Sequence, residues 1–364
     1  MNIFLQKTYF FLQYLQQKRY SEQQMMPERA EKIVLVMCKW IGDTFWDMQV
    51  IPALQKRYPD AEIHIVTKPF SKFLFRGILP EEQIHITGHV ISDCRREYFS
   101  RKEWKKILAE IRAVKADLLI DFTETPFSAV FASLSGAKYT VGYDHLGRFS
   151  KLYMSRKHAE YGLHLSRRPM ALIGEEFEFP QILPHVPDPV QPGFDVIIFP
   201  GVGWQTKEYP AEKYHSIAAA LTEKGYSVCI SGSAKEKELC EKVGFGLNNV
   251  KIQIGSQEEM LNYLSSAKVC LSGDTGPAHI AAAMGIFTIT LFCGTNPGFC
   301  RALGKNVRIL HSSCPDSPSE KVQFCPANRQ KTCCRNCFMD IEPEKIIDCV
   351  QKSIKEREDS TRYT

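Results

Sequence analysis

An acidic residue, a threonine, a glycine and a histidine stand close together in SGDTGPAHIAAAMG, residues 272–285. The run KVCLSG just before it is typical of a buried strand, so Asp274, Thr275 and Gly276 should form the turn between a strand and a helix. N–H groups at a helix N-terminus carry partial positive charge and lack partners within the helix, which favours a bound phosphate. His279 could donate to the same anion. The alternative is an ordinary helix cap with a packed histidine.

Two further turns could contribute chemistry at the ends of strands. PGVGWQTKEYP follows the first strand of the carboxyl-terminal half, where Gly201 and Gly203 permit close backbone approach and Lys207 could bring positive charge to a phosphate. CKWIGDTFWDMQVIPAL follows the first strand of the amino-terminal half. There Asp43 could be a general base or merely the N-cap of a helix that continues through Leu54. On that helix Asp47 is expected at the surface, and Lys39 could stabilise negative charge.

The elements that would position these turns alternate between short β-rich runs and longer helical runs. Strands are predicted at 32–37, 61–66, 117–122, 195–200, 226–232, 268–273 and 287–292, and helices at 101–114, 211–225 and 256–267. Ser256 and Glu259 form a capping-box pattern. Such alternation predicts an α/β protein with two doubly wound, Rossmann-like domains facing each other across a cleft, with ligand at the carboxyl ends of the strands.

Proline content marks the boundary between the two halves, because EFPQILPHVPDPVQPG reads as an extended linker. The predicted organisation is an N-terminal extension at 1–30, an acceptor domain at 31–180, a linker at 181–193, a nucleotide-sugar domain with a cysteine-rich tail at 194–342, and a C-terminal helix at 343–364. Phe10, Tyr14 and Lys18 belong to an aromatic, basic stretch that could be an amphipathic helix on a membrane or a helix packed on its own domain.

Composition excludes several classes of protein. With 44% hydrophobic and 24% charged residues the chain is predicted to be globular, and its formal charge of +5 permits contact with anionic partners. No apolar run is long enough for a bilayer span and no secretory signal is recognisable, so we expect a cytoplasmic protein. The first strand of neither half is followed by G-x-G-x-x-G, which argues against a dinucleotide-dependent dehydrogenase. No Asp-x-Asp occurs, so we expect no catalytic metal.

Nine of the thirteen cysteines fall into two groups. Cys38, Cys229, Cys270 and Cys293 lie in or beside apolar strands and are expected to be core residues. Cys314, Cys325, Cys333, Cys334 and Cys337 crowd the tail. Cys334 and Cys337 form a single C-x-x-C and are candidate ligands of a structural zinc or iron ion, with Cys314, Cys325 and Cys333 as possible further ligands, although one such pair also occurs outside metal sites.

Six segments together resemble the ADP-heptose:lipopolysaccharide heptosyltransferases, glycosyltransferase family 9. They are IGDTFWDMQVIPALQKRYPDAEI, GVGWQTKEYP, SGSAKE, SGDTGPAHIAAAMG, LFCGTNP and CFMDIEPEKI. The resemblance runs in order from about Lys32 to the C-terminal helix. It departs at Trp40 and Ile41, where the family commonly has small polar residues, at Trp204, and at Tyr209, which replaces a tryptophan.

The resemblance implies the two-domain GT-B fold and inverting transfer of a sugar, with heptose from ADP-heptose expected, to a lipid-linked or oligosaccharide acceptor of the lipopolysaccharide core. It implies no required cofactor, no nucleic-acid partner and a peripheral place on the cytoplasmic face of the inner membrane. Asp43 would be the base, Lys207 would stabilise the leaving diphosphate, and Glu236 would lie near the ribose. The expected substrate-binding residues are Gly42, Thr44, Gly201, Gly203, Thr206, Glu236, Asp274, Thr275, Gly276 and His279. Two alternatives stay open: a non-catalytic member of the fold that binds a nucleotide sugar or glycan, and a nucleotide-sugar epimerase.

Overall fold

The computed structural model describes residues 26–92, 100–157, 164–204, 207–314, 323–325 and 337–362. The predicted N-terminal amphipathic segment, Thr206, Cys333 and Cys334 lie outside these residues. The chain divides into two compact units, Met1–His185 and Val186–Thr364. The division falls within the proline-rich segment, which contains no helix or strand.

The first unit is built on a parallel sheet of six strands in the order β3-β2-β1-β4-β5-β6. The strands are β1 (Lys32–Met37), β2 (Glu62–Thr67), β3 (Ile84–Ile86), β4 (Leu118–Asp121), β5 (Tyr139–Tyr143) and β6 (Ser155–Lys157). The α-helices are α1 (Ile41–Asp47), α2 (Val50–Arg57), α3 (Arg101–Val114), α4 (Pro126–Leu134) and α5 (Arg167–Ile173). Five successive residues of β1 are buried, as expected for a strand with both faces covered.

The second unit repeats the same arrangement, with the strand order β12-β11-β10-β7-β8-β9. Its strands are β7 (Phe194–Phe199), β8 (Val228–Gly232), β9 (Val250–Ile254), β10 (Ala267–Gly273), β11 (Phe287–Phe292) and β12 (Val307–His311). Its α-helices are α6 (Ala211–Glu223), α7 (Lys237–Gly244), α8 (Gln257–Ser265), α9 (Gly276–Ala283), α10 (Pro297–Cys300) and α11 (Pro343–Arg362). The predicted capping box is confirmed, because Ser256 and Glu259 bond each other's backbone N–H.

The prediction of two doubly wound α/β units is therefore confirmed, and both sheets have the Rossmann strand order. Helix α3 occupies the predicted residues, but the helix predicted through Leu54 is two helices, with Met48 and Gln49 in a turn between them. Within the described ranges, no helix is both long and apolar enough to cross a membrane.

Candidate functional site

Each sheet reverses its strand order at one place. In the first sheet β1 lies between β2 and β4, and in the second β7 lies between β8 and β10. Consecutive connections leave such a point on opposite faces of the sheet, which opens a crevice at the carboxyl ends of the two central strands. The turns predicted to carry chemistry follow β1, β7 and β10. The strand order therefore places all three turns at the points where the two sheets reverse their order.

In the second unit, the turn after β7 and the turn after β10 meet through an ion pair. Nζ of Lys207 lies 2.7 Å from Oδ2 of Asp274 and 3.4 Å from the Asp274 carbonyl oxygen. Both side chains are largely buried. An ammonium has three N–H donors, so a third N–H remains for a ligand.

The carboxylate of Asp274 is held from several sides. The hydroxyl of Thr295 donates to Oδ2 at 2.9 Å, the Cys300 thiol lies 3.5 Å from the same oxygen, and Nε2 of His279 lies 3.8 Å from Oδ1. Burial acts to raise the pKa of Asp274, but the charge of Lys207, together with His279 and the hydrogen bonds from Lys207 and Thr295, outweighs it and the pKa falls below its ordinary value. The carboxylate is therefore ionised and orients the lysine.

His279 is buried within α9, and burial lowers the pKa of its imidazole to about 4. The nearby Asp274 carboxylate acts in the opposite direction but does not overcome the loss of hydration. The imidazole is consequently neutral near pH 7. At that pH it can offer a hydrogen bond but no positive charge.

Helix α9 begins directly after this ion pair. Thr275 is the N-cap residue in extended conformation, and its hydroxyl pairs with Ser272 Oγ at 2.7 Å and makes no cap bond. Gly276 and Pro277 form the first turn, where the missing N–H of proline costs nothing. The alternative that Thr275 caps the helix with its side chain is therefore wrong, because the structure has no such hydrogen bond.

The glycines of the loop after β7 have different surroundings. A Cβ on Gly201 would lie 1.9 Å from Oε1 of Glu236, whereas a Cβ on Gly203 would meet no atom within 4 Å. Glu236, predicted to lie near a ribose, accepts from both the N–H and the hydroxyl of Ser233 at 2.7 Å. Gly201 is thus required by the protein's own packing, while Gly203 leaves space beside the backbone.

In the first unit, Gly42 and Asp43 lie in the first turn of α1, and Asp43 is half-buried. Its helix is capped by Trp40 without a side-chain bond, so Asp43 is not the N-cap. Thr44 is fully buried, which points its side chain into the core. The expectation that Asp47 is a surface residue is wrong: only 1% of it is exposed, because α1 lies against the core and ends at this residue.

Lys39 joins the turns after β1 and β4. Its Nζ lies 2.6 Å from Glu124 Oε1 and 3.5 Å from Asp47 Oδ1, and His145 Nε2 lies 3.4 Å from Glu124 Oε2. Burial lowers the pKa of Lys39, but Asp47 and Glu124 outweigh it and hold that pKa well above its ordinary value. Burial raises the pKa of Asp47 well above its usual range. Burial acts to raise the pKa of Glu124 as well, but the nearby charge of Lys39 outweighs it and the pKa of Glu124 falls below its ordinary value.

Glu124 has a backbone φ of +63°, a left-handed conformation that non-glycine residues adopt at some cost. A pocket in the first unit is lined by Lys39, Asp43, Trp46, Asp47, Glu124, Leu165 and Arg168. Sequence reasoning singled out Asp43 and Lys39 but missed Glu124 and Arg168. A usable signal existed for Glu124, since it follows the predicted strand at 117–122 just as Asp43 follows the first strand.

The structure brings together two of the cysteines predicted as possible ligands, Cys314 and Cys337, and adds Cys293; Cys333 and Cys334 lie outside the described residues. Among the described residues, the sulfur atoms of Cys293, Cys314 and Cys337 lie within 4.8 Å of one another, and Cys325 is outside this group. Cys293 was interpreted as a core residue because it follows an apolar strand. It is buried, and it also contributes to this cluster.

Comparisons with known proteins fit this geometry. The family model for glycosyltransferase family 9 (heptosyltransferase) matches residues 104–328. Lipopolysaccharide heptosyltransferase 1 of Pseudomonas aeruginosa is 29% identical over 60% of this chain and 66% of that protein, slightly less than two thirds of its length. Lipooligosaccharide heptosyltransferase 2 of Haemophilus ducreyi is 22% identical over 87% of this chain and 97% of that protein.

Two solved structures share the fold. The Escherichia coli ADP-heptose lipopolysaccharide heptosyltransferase II has a TM-score of 0.70 at 18% identity, covering 90% of this chain and 99% of that one. The E. coli heptosyltransferase WaaC with ADP has a TM-score of 0.68 at 19% identity, covering 88% and 99%. The resemblance seen in the motifs is confirmed, and so is the GT-B fold. The chain belongs to glycosyltransferase family 9, and it is a glycosyltransferase.

Proposed function

We propose that this protein transfers heptose from ADP-heptose to an acceptor of the lipopolysaccharide core, with inversion at the anomeric carbon. The observation that carries the proposal is the Lys207–Asp274 pair beside the N-terminus of α9, at the switch point of the second sheet. A cation and a helix N-terminus at such a point suit a diphosphate. The names of the relatives supply the heptose and the lipopolysaccharide.

In this proposal the second unit holds the donor. Lys207 and the backbone N–H groups of Thr275 and Gly276 stabilise the charge that develops on the leaving diphosphate. Asp274 acts through Lys207, because its carboxylate already accepts bonds from Lys207 and Thr295. Gly203 leaves room for a ligand, whereas Glu236 would reach a ribose only with the oxygen that does not accept from Ser233.

The first unit holds the acceptor, and Asp43 is the general base. Asp43 borders the pocket that also contains Lys39, Glu124 and Arg168. A carboxylate there can take the proton of the attacking hydroxyl as it bonds to the anomeric carbon and the diphosphate leaves. The reaction needs no redox step, and positive charge from Lys207 serves the leaving group, so we propose that chemistry proceeds without a metal or other cofactor.

We also propose a cytoplasmic reaction at the inner face of the membrane, where a lipid-linked acceptor would be presented. The formal charge of +5 favours approach to an anionic surface. No nucleic-acid partner is proposed.

The test measures ADP release and glycan product from ADP-heptose with and without a lipopolysaccharide-core acceptor. Transfer should require the acceptor and should survive a metal chelator. Asp43→Asn should lower kcat by about 10²- to 10⁴-fold, the usual contribution of a general base, while ADP affinity stays the same. Asp60→Asn, an exposed carboxylate of the same unit, is the matched control. Near-normal turnover in a folded Asp43→Asn variant would exclude Asp43 as the base, and donor consumption without acceptor would contradict the proposed reaction.

A further inference from the structure

Three cysteine side chains from distant parts of the second unit converge on one place. Cys293 directly follows β11, Cys314 lies three residues beyond the end of β12, and Cys337 comes shortly before α11. Their sulfur atoms all lie within 4.8 Å of one another. Cys293 and Cys314 are buried and Cys337 is half-buried.

This separation suits a single metal ion. Zinc binds thiolate sulfur at about 2.3 Å, so sulfur atoms at the corners of a tetrahedron lie about 3.8 Å apart. The three sulfur atoms would have to approach one another by about 1 Å or less. A disulfide would use only two of the three thiols, whereas one thiophilic ion accounts for the convergence of all three.

Hydrogen bonds fix the chain on either side of the cluster. The Ser312 hydroxyl donates to Asp340 Oδ1 at 2.6 Å, and the Ser313 N–H and hydroxyl donate to Asp340 Oδ2 at 2.8 and 2.7 Å. The Phe338 N–H donates to Ser312 Oγ at 3.2 Å. The segment that carries Cys314 is thus tied to the segment that carries Cys337.

Packing fixes Cys337 further through its neighbour Phe338. The backbone of Phe338 has a φ of +64°, an unfavourable conformation for a bulky residue, and its side chain is fully buried. Its ring packs edge to face against Tyr209, with the two ring centroids 5.6 Å apart, and the Tyr209 hydroxyl donates to the Ile341 carbonyl oxygen at 2.9 Å. Such a conformation persists only where the surroundings impose it.

The cluster is also connected through the chain to two segments that hold the Lys207–Asp274 pair. Tyr209, which contacts Phe338, is two residues beyond Lys207. Cys293 is two residues before Thr295, whose hydroxyl donates to Asp274. A metal ion bound by both Cys293 and Cys337 would therefore stabilise both segments that hold the ion pair.

We propose that Cys293, Cys314 and Cys337 bind one thiophilic divalent ion, of the kind typified by Zn²⁺, as a structural site. The three thiols give up their protons on binding, and a ligand from outside the trio completes the tetrahedron. The ion takes no part in glycosyl transfer. Its role is to hold the segment before α11 against the strands that carry the donor site. This inference is independent of which sugar is transferred.

The experiment uses the full chain without a metal-binding tag, purified under reducing conditions. Zinc and iron are measured per chain, and metal-free protein is then titrated with Co²⁺ while thiolate-to-cobalt absorbance is followed. We expect one ion per chain, the thiolate signature, and a higher midpoint of thermal unfolding with metal than without. Cys337→Ala, which alters a half-buried residue, should weaken binding at least tenfold, because even partners in the outer shell of a metal contribute that much.

Cys293→Ala and Cys314→Ala should have the same effect on binding as Cys337→Ala. Cys229→Ala and Cys270→Ala remove buried thiols of the same sheet outside the cluster and should leave metal binding intact. The proposal is overturned if folded, reduced protein gives no thiolate signature with Co²⁺. It is equally overturned if Cys337→Ala binds as tightly as the parent, or if mass spectrometry of the purified protein finds two of the three thiols joined in a disulfide.

Discussion

The ammonium of Lys207 lies 2.7 Å from the buried carboxylate of Asp274, and the two residues follow the two central strands of the second sheet. The sequence predicted both as independent ligands of a diphosphate. In the proposed function this pairing gives the two residues different roles, in which Asp274 orients the lysine and Lys207 would bind the diphosphate. An equivalent ion pair exists in the first unit, where Lys39 follows β1 and Glu124 follows β4. Nζ of Lys39 lies 2.6 Å from Oε1 of Glu124.

This division of roles can be tested by removing the charges separately and together. Lys207→Met leaves the buried Asp274 carboxylate without its main counter-charge, so we expect a loss of about 3 kcal/mol in the free energy of unfolding. Adding Asp274→Asn removes the uncompensated charge and should restore most of that stability. ADP affinity should stay low in the double variant, because the cation is still missing. Urea unfolding and calorimetric ADP titration measure the two quantities.

Recovery of ADP affinity along with stability in the double variant would show that Lys207 serves only the fold. Lys213→Met is the matched control. Lys213 belongs to the same unit and lies on α6, and its ammonium pairs with Glu342 at 3.2 Å and donates to the carbonyl oxygens of Phe338 and Ile341.

His279 should make stability depend on pH in a defined interval. Its imidazole takes up a proton below about pH 6.5 in the unfolded chain, but burial lowers the pKa to about 4 in the folded protein. Between these values unfolding binds a proton, so the free energy of unfolding falls as the pH falls. The full loss, reached below about pH 4, is up to about 3 kcal/mol. The lowered pKa of Asp274 adds its own loss only below that carboxyl's ordinary value of 3.8.

Unfolding free energies measured from pH 4 to 6.5 should therefore have a smaller slope in His279→Gln than in the parent. His185→Gln, a change at an exposed histidine, should leave the slope as it is. Equal slopes in the parent and His279→Gln would mean that His279 titrates normally in the folded protein.

Fold class and the main turns were predictable because they depend on local pattern. Strands with both faces buried, such as β1 and β7, contain continuous apolar runs. The four edge strands β3, β6, β9 and β12 were missed, since they are short or only partly buried and so lack that signal. The interior strand β5 was missed as well, because its buried sequence YTVGY includes threonine and glycine and is not a continuous apolar run. Strand order itself is set by packing of the helices, which single-strand patterns do not encode.

Side-chain partners were much less predictable than turns. Asp43 and Glu124 lie 81 positions apart in the sequence and line one pocket only because β1 and β4 pair in parallel. Cys293 illustrates the same limit. An apolar strand before it favours a core thiol, and nothing local shows that Cys314 and Cys337 arrive beside it.

Two glycines of one loop should respond differently to the same substitution. Gly201→Ala would place a methyl group against Glu236 and disturb the bonds from Glu236 to Ser233, so we expect a loss of about 1–3 kcal/mol in stability. Gly203→Ala meets no atom within 4 Å and should leave stability within about 0.5 kcal/mol of the parent. If Gly203 borders the donor, its variant should instead lose ADP affinity. Thermal unfolding and ADP titration of both variants decide, and equal destabilisation would contradict the packing argument.

Trp40 offers a test of acceptor binding in the first unit. It is 61% exposed, stacks on Phe70 at 5.8 Å, and has the ammonium of Lys68 5.3 Å from its ring centroid. A large aromatic face held this way, three residues before Asp43, can pack against a sugar ring of the acceptor. Trp40→Ala should raise the KM for the acceptor about 3- to 10-fold, as expected for about 1 kcal/mol, with kcat nearly unchanged. Trp40→Phe should retain most of the affinity, and Phe245→Ala, at an exposed aromatic residue of the other unit, should have no effect. A fall in kcat with unchanged KM would instead mean that Trp40 positions Asp43, because a residue that only binds the acceptor contributes equally to the ground state and the transition state.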